Sequence, residues 1–96
     1  MSEPLAEVTL LTRAGCHLCE TAYAELTTLL ADYGLAPVVV DVDRRAEQGD
    51  PETRAEFGDR LPVVLLDGVE HSYWEIDEDR LRLDLDRLRR AVGHKP

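Results

Sequence analysis

Between Val8 and Asp43 the chain alternates in a way that few folds accommodate. An apolar run, Val8-Thr9-Leu10-Leu11, precedes a segment in which Leu18, Ala22, Leu26, Leu29, Leu30 and Tyr33 recur at helical spacing. Val38-Val39-Val40 follows and runs into Asp41-Val42-Asp43. The pattern predicts a strand over Val8 to Leu11 and a helix from Gly15 to about Tyr33, which Gly34 ends and Pro37 keeps from continuing. The unbroken β-branched run predicts a second strand, covered on both faces. Strand, helix and strand make a βαβ unit, which almost always closes right-handed with its strands parallel.

The rest of the chain supplies the other elements. Arg44 to Asp50 reads as polar and irregular. Asp50-Pro51-Glu52-Thr53 then offers an N-cap, a proline at the first helical position and a carboxylate in the first turn, so a short helix should reach about Phe57 and stop at Gly58. Leu61-Pro62 leads into a third apolar strand, Val63-Val64-Leu65-Leu66. Asp67-Gly68 is a strong hairpin signal, and Val69 to about Ile76 supplies the returning strand. Asp77 caps a last helix whose stripe Leu81, Leu85, Leu88 and Val92 faces inward, with Arg82, Arg87, Arg89 and Arg90 mostly opposite and Leu83 off the stripe. Phe57, Leu81, Leu85 and Leu88 are expected in the core. The order β-α-β-α-β-β-α, with helices on both faces of the sheet, predicts an α/β three-layer sandwich.

Ninety-six residues make one domain, read as 1–96 with a core over about 8–92 and a frayed polar lead-in over 1–6. A composition of 44% hydrophobic and 32% charged residues is that of an ordinary globular chain, and no apolar run approaches the ~18 residues of a membrane span. Met1-Ser2-Glu3-Pro4 lacks the basic and apolar regions of a signal peptide, so the expected compartment is the cytoplasm. A formal charge of −9 excludes nucleic acid, whose phosphates call for Lys and Arg in excess, and disfavours anionic membranes. It also favours solubility and low self-association, hence a monomer.

The chemistry lies in Thr12-Arg13-Ala14-Gly15-Cys16-His17-Leu18-Cys19, where the first strand gives way to the first helix. Residues three apart are neighbours on a helix, so Cys16 and Cys19 share one face and can form a disulfide. The helix N-terminus favours a thiolate on Cys16 and makes it nucleophilic; Cys19, one turn inside, is placed to resolve a mixed disulfide. A bridge across two residues closes too small a loop to stabilise much, so the pair reads as chemistry rather than a staple. The alternatives are two small buried hydrophobes, or half of a zinc site, for which the isolated His71 and His94 offer no second half.

The cysteine motif, Val-Val-Asp-Val-Asp near residue 41, and Arg-Leu-Pro-Val-Val-Leu-Leu-Asp-Gly near residue 62 together resemble the small glutaredoxin-like proteins of the thioredoxin fold. The likeness spans about Val8 to Val92. It implies a four-stranded mixed sheet, Cys16 as the attacking cysteine, Cys19 as the resolving one, and a cis bond before Pro62, which packs beside the dithiol. The Leu61 backbone would then offer an extended edge on which a peptide or glutathione could lie. No tightly bound cofactor is implied. The implied partners are a disulfide-containing protein or small thiol substrate and a recycling reductant, glutathione or another thiol. An iron–sulfur cluster shared between two chains, as in some glutaredoxins, is a further alternative.

Two features depart from that family's usual pattern. His17-Leu18 replaces Pro-Tyr between the cysteines. The Gly-Gly-then-Asp that precedes the last helix is also missing, and that helix opens with Asp77, Glu78 and Asp79, which already complement its dipole and disfavour anionic glutathione. Around the dithiol, Arg13 is a candidate to stabilise the thiolate or meet a substrate carboxylate, and His17 to tune the thiolate when protonated. Asp41 and Asp43 read as a strand end, and Tyr73 and Trp74 as one ring in the core and one in solvent. These residues predict a thiol–disulfide oxidoreductase. The competing reading is a non-enzymatic interaction or redox-sensing module that binds a partner along Leu61-Pro62.

Overall fold

A computed structural model describes residues 4–93, and the sheet is built outward from β1, Val8–Thr12. This strand pairs in parallel with β2 (Val38–Asp41) and antiparallel with β3 (Val63–Leu66), which in turn pairs antiparallel with β4 (Val69–Tyr73). The mixed sheet has the order β2-β1-β3-β4. Among the described residues four helices accompany it: α1 (His17–Ala31), α2 (Val42–Glu47), α3 (Glu52–Phe57) and α4 (Glu78–Gly93).

Side chains that alternate along the strands divide the core in two. Val8 and Leu10 of β1 and Val64 of β3 pack against Leu26, Leu29 and Leu30 of α1 and Leu81 and Leu85 of α4. On the other face Leu11 and Val63 meet Val42 of α2 and Phe57 of α3. Fully burying such a side chain contributes about 1.5–3 kcal/mol, so each face holds its helices by a handful of residues. The expected three-layer α/β arrangement is therefore present. At the β3–β4 turn Asp67 and Gly68 take φ of 50° and 84°, the left-handed pair a two-residue hairpin requires.

Several local expectations give way. β2 is an edge strand, and Val38 and Val39 are about half exposed instead of covered. The stretch expected to be irregular contains α2, because Asp41 Oδ1 accepts the amide protons of Asp43 and Arg44 at 3.0 and 3.1 Å and starts a helix there. Leu18 is exposed because Cys19, not Leu18, shares the inward face with Ala22 and Leu26. The lead-in is docked where it is described: Ala6 is buried and Leu5 packs beside it, while Glu7 exchanges hydrogen bonds with Asp67. β4 ends at Tyr73, short of Ile76, and Val92 is exposed at the far end of the α4 stripe.

His71 is not isolated. The register passes from Leu65–Glu70 to Val64–Ser72, which makes His71 the extra residue of a β-bulge. Its buried ring Nε2 lies 2.8 Å from Asp84 Oδ2 on α4, tying strand to helix. Residues 1–3 of the lead-in and His94 lie outside the described residues.

Candidate functional site

At the end of β1, Arg13 and Ala14 carry the chain out of the sheet. Gly15, at φ 76°, turns it into α1. A left-handed φ is costly for residues with a Cβ, so glycine suits this corner. Cys16 follows as the N-cap in extended geometry, and its Sγ accepts the amide proton of Cys19 at 3.1 Å. The two cysteines are joined by a disulfide, with Cα atoms 5.2 Å apart. Cys19 is 4% exposed whereas Cys16 is only half-buried, so an incoming group can reach only the first sulfur readily.

An amide aimed at Sγ stabilises negative charge there more than it stabilises a thiol, as does the partial positive charge of the helix end. Dipole and cap therefore act on the same atom. Glu20 is the single acid in the first turn of α1.

Arg13 stands beside this turn, but its guanidinium is engaged elsewhere. Nε and Nη2 donate to the two carboxylate oxygens of Asp43 at 2.7 and 3.1 Å. Arg54 Nη1 lies 3.5 Å from the same carboxylate. The bond from Arg13, aided by Arg54, holds the Asp43 carboxyl below its ordinary value of 3.8. Thus Arg13 anchors the cysteine turn to α2 and α3. The sequence offered a signal for this pair: Thr12 lies opposite Asp41 in the parallel ladder, so residues just beyond the two strand ends come together.

His17 is at the rim, its side chain 98% exposed and 3.9 Å from Glu20, so it stands in solvent as expected. The bond between Leu61 and Pro62 is cis. Pro62 is buried one step beyond the Leu11–Val63 pair, opposite the end of β1 from which the cysteine turn departs. Its carbonyl accepts the amide proton of Trp74 at 2.8 Å. Trp74 and Tyr73 are both largely exposed, against the expectation that one ring would enter the core. The bulge at His71 instead gives the inward position to the imidazole.

Two open grooves flank this end of the sheet. One, of about 720 Å³, is lined by Arg13, Gly15, both cysteines, Tyr23 and Val39. The other, of about 960 Å³, lies between β4 and the start of α4 and is dominated by carboxylates. Among the described residues, no group of three His, Cys, Asp or Glu side chains is placed to hold a metal ion. Among them too, no helix is long and apolar enough to cross a membrane.

Residues 7–86 match the family described as Glutaredoxin-like domain (DUF836). The chain is 56% identical over 87 residues to the uncharacterized protein Rv0508 of Mycobacterium tuberculosis, covering 91% of this chain and 88% of that one. The uncharacterized protein Mb0520 of Mycobacterium bovis matches with the same figures. The solution NMR structure of Protein Ne2328 from Nitrosomonas europaea superposes with a TM-score of 0.69 over 88% of this chain and 94% of that one. At 24% identity, that likeness concerns the fold alone.

Proposed function

The chain belongs to the glutaredoxin-like domain family, and on that premise we propose that it is a dithiol–disulfide oxidoreductase working through Cys16 and Cys19. What supports the reading most is the asymmetry of the pair: a half-buried sulfur that caps α1, bridged to a buried one a turn inside.

The reduced protein attacks with the Cys16 thiolate. A bond forms between Cys16 Sγ and one substrate sulfur, and the substrate's disulfide breaks, releasing its other half as a thiolate that takes up a proton. The Cys19 thiolate then attacks Cys16 Sγ and expels the second half in the same way. Two protein thiols have become one disulfide and one substrate disulfide has become two thiols, an exchange of two electrons and two protons. A low-molecular-weight or protein thiol reductant returns the bridge to the dithiol, as a reducing cytoplasm would allow. In this scheme the backbone of Leu61 and the buried Pro62 receive the substrate beside Cys16, while Arg13 keeps the turn in place and His17 sits at its rim.

The test is an equilibrium titration in glutathione buffers of graded reduced-to-oxidised ratio, with acid quenching and intact mass readout. A reversible two-electron transition between dithiol and bridge is the expected result. A bridge that does not form or break at any ratio would overturn the reading.

A further inference from the structure

The pair Tyr73–Trp74 has no part in the exchange chemistry, yet it stands at the same end of the sheet as Cys16. Its rings meet edge to face, with centroids 5.0 Å apart, and are 48% and 56% exposed. Trp74 is held at φ 67°, a left-handed conformation that a bulky residue rarely adopts. Two backbone bonds keep it there: its amide donates to the Pro62 carbonyl, and Glu75 N–H donates to the Tyr73 carbonyl, both at 2.8 Å. The strain is therefore carried beside the segment assigned to substrate, and it presents an indole to solvent.

Carboxylates dominate the charge around the pair. Glu75, Asp77, Glu78 and Asp79 line the groove that Tyr73 also lines, together with His71 and Arg80. Arg80 is already engaged, through Nε with Asp77 Oδ2 at 3.2 Å and through Nη2 with the carbonyl of His71. A cation is thus the complementary ligand, and aromatic faces beside carboxylates attract Lys and Arg doubly.

We propose that Tyr73 and Trp74 form a docking platform for a basic polypeptide segment flanking the substrate disulfide, and that this surface selects protein substrates over glutathione. The inference rests on the exchange reading above and deepens it. An extended segment laid along Leu61-Pro62 would carry Lys or Arg side chains over the rings and toward the carboxylates. Oxidised glutathione, whose carboxylates outnumber its amines, is repelled from the same groove.

Trp74 is the chain's single tryptophan, so its emission reports on this site alone. The test uses four disulfides: dimers of one short peptide with Lys flanking its cysteine, dimers of the same peptide with Glu there, oxidised glutathione, and bis(2-hydroxyethyl) disulfide. The rate at which each oxidises the reduced protein is read by acid quench and intact mass. The Lys dimer should react about tenfold faster than the Glu dimer or oxidised glutathione, with the advantage shrinking as ionic strength rises.

In Trp74→Gly, which relieves the left-handed strain and so should fold, the ratio of Lys-dimer rate to hydroxyethyl disulfide rate should fall about tenfold. Equal rates for all four disulfides, or an unmoved ratio in Trp74→Gly, would overturn the docking platform while leaving exchange intact. Should no disulfide oxidise the protein, the exchange reading fails, and a Lys peptide with serine in place of cysteine decides the docking alone. A saturable shift in Trp74 emission supports it; an unchanged emission overturns it.

Discussion

The N-termini of α1 and α4 are built alike and used differently. β1 and β4 each run antiparallel to β3, so the helices that follow them start at the same end of the sheet, and both pack on the same face. Each N-cap side chain accepts the amide proton three residues on: Cys16 Sγ from Cys19 at 3.1 Å, Asp77 Oδ1 from Arg80 at 3.2 Å. At α4 the cap is a carboxylate, with Glu78 and Asp79 behind it, and the helix end is satisfied by standing charge. At α1 the cap is a sulfur, and the same dipole acts on a group that can break and form bonds. The backbone supplies identical electrostatics in both places; the side chain decides whether it yields stability or reactivity.

Replacing the reactive cap should break the comparison most severely. Cys16→Ser retains an oxygen able to accept the Cys19 amide proton, so the fold should persist while disulfide exchange drops to background. Cys19→Ser should stop at a mixed disulfide on Cys16, visible by intact mass. Turnover of protein disulfides by Cys19→Ser at the parental rate would remove the assigned roles.

The inert cap should show the opposite profile. Asp77→Ala loses a capping bond and a charge at the positive helix end, and should lower the melting temperature by roughly 5 °C in a domain of this size. Asp77→Asn keeps a capping oxygen and should recover most of that loss. A melting temperature unchanged in Asp77→Ala would mean that the cap contributes nothing.

The smallest effect sharpens the contrast through pH. The Arg80 amide, then its side chain, holds the Asp77 carboxyl below the ordinary value of 3.8, as Arg13 does for Asp43. Above that value both carboxyls are ionised whether the chain is folded or not, and their contribution is complete. Below it the unfolded chain takes up protons first, so stability falls as pH drops through the folded-state values. Denaturant titrations at graded pH should show this modest decline, and Asp43→Asn should flatten part of it. At α1 the helix end and the Cys19 amide favour a thiolate on Cys16, so in the reduced protein its alkylation should set in at lower pH than that of a cysteine in an unstructured peptide. An ordinary cysteine-like alkylation profile would remove the advantage assigned to the α1 terminus.

Much of this was legible because it was local. Gly15 followed by Cys-x-x-Cys announces a strand-to-helix corner, and Asp67-Gly68 announces a hairpin, since each requires only its own backbone angles and near neighbours. Val38-Val39-Val40 announced a strand correctly and its burial wrongly: an apolar run says that the chain extends, but not how many strands lie beside it. Asp41 capped a helix that the polar composition of Arg44 to Asp50 concealed. Tyr73 and Trp74 were misread because a single bulged residue, His71, shifts the inside–outside alternation along β4.

The sequence by itself determined the order of elements around the sheet, the Cys16–Cys19 pair one turn apart at a helix start, the proline ahead of β3 and the acid-capped last helix. Those features depend on spacings of a few residues. Only the tertiary structure decided that β2 is an edge, that Arg13 answers to Asp43 rather than to a sulfur, that His71 turns in to Asp84, and that Trp74 stands beside Pro62. Each of these joins residues far apart in the chain, and strand order and register, which the pattern of apolar side chains leaves open, determine which distant groups meet.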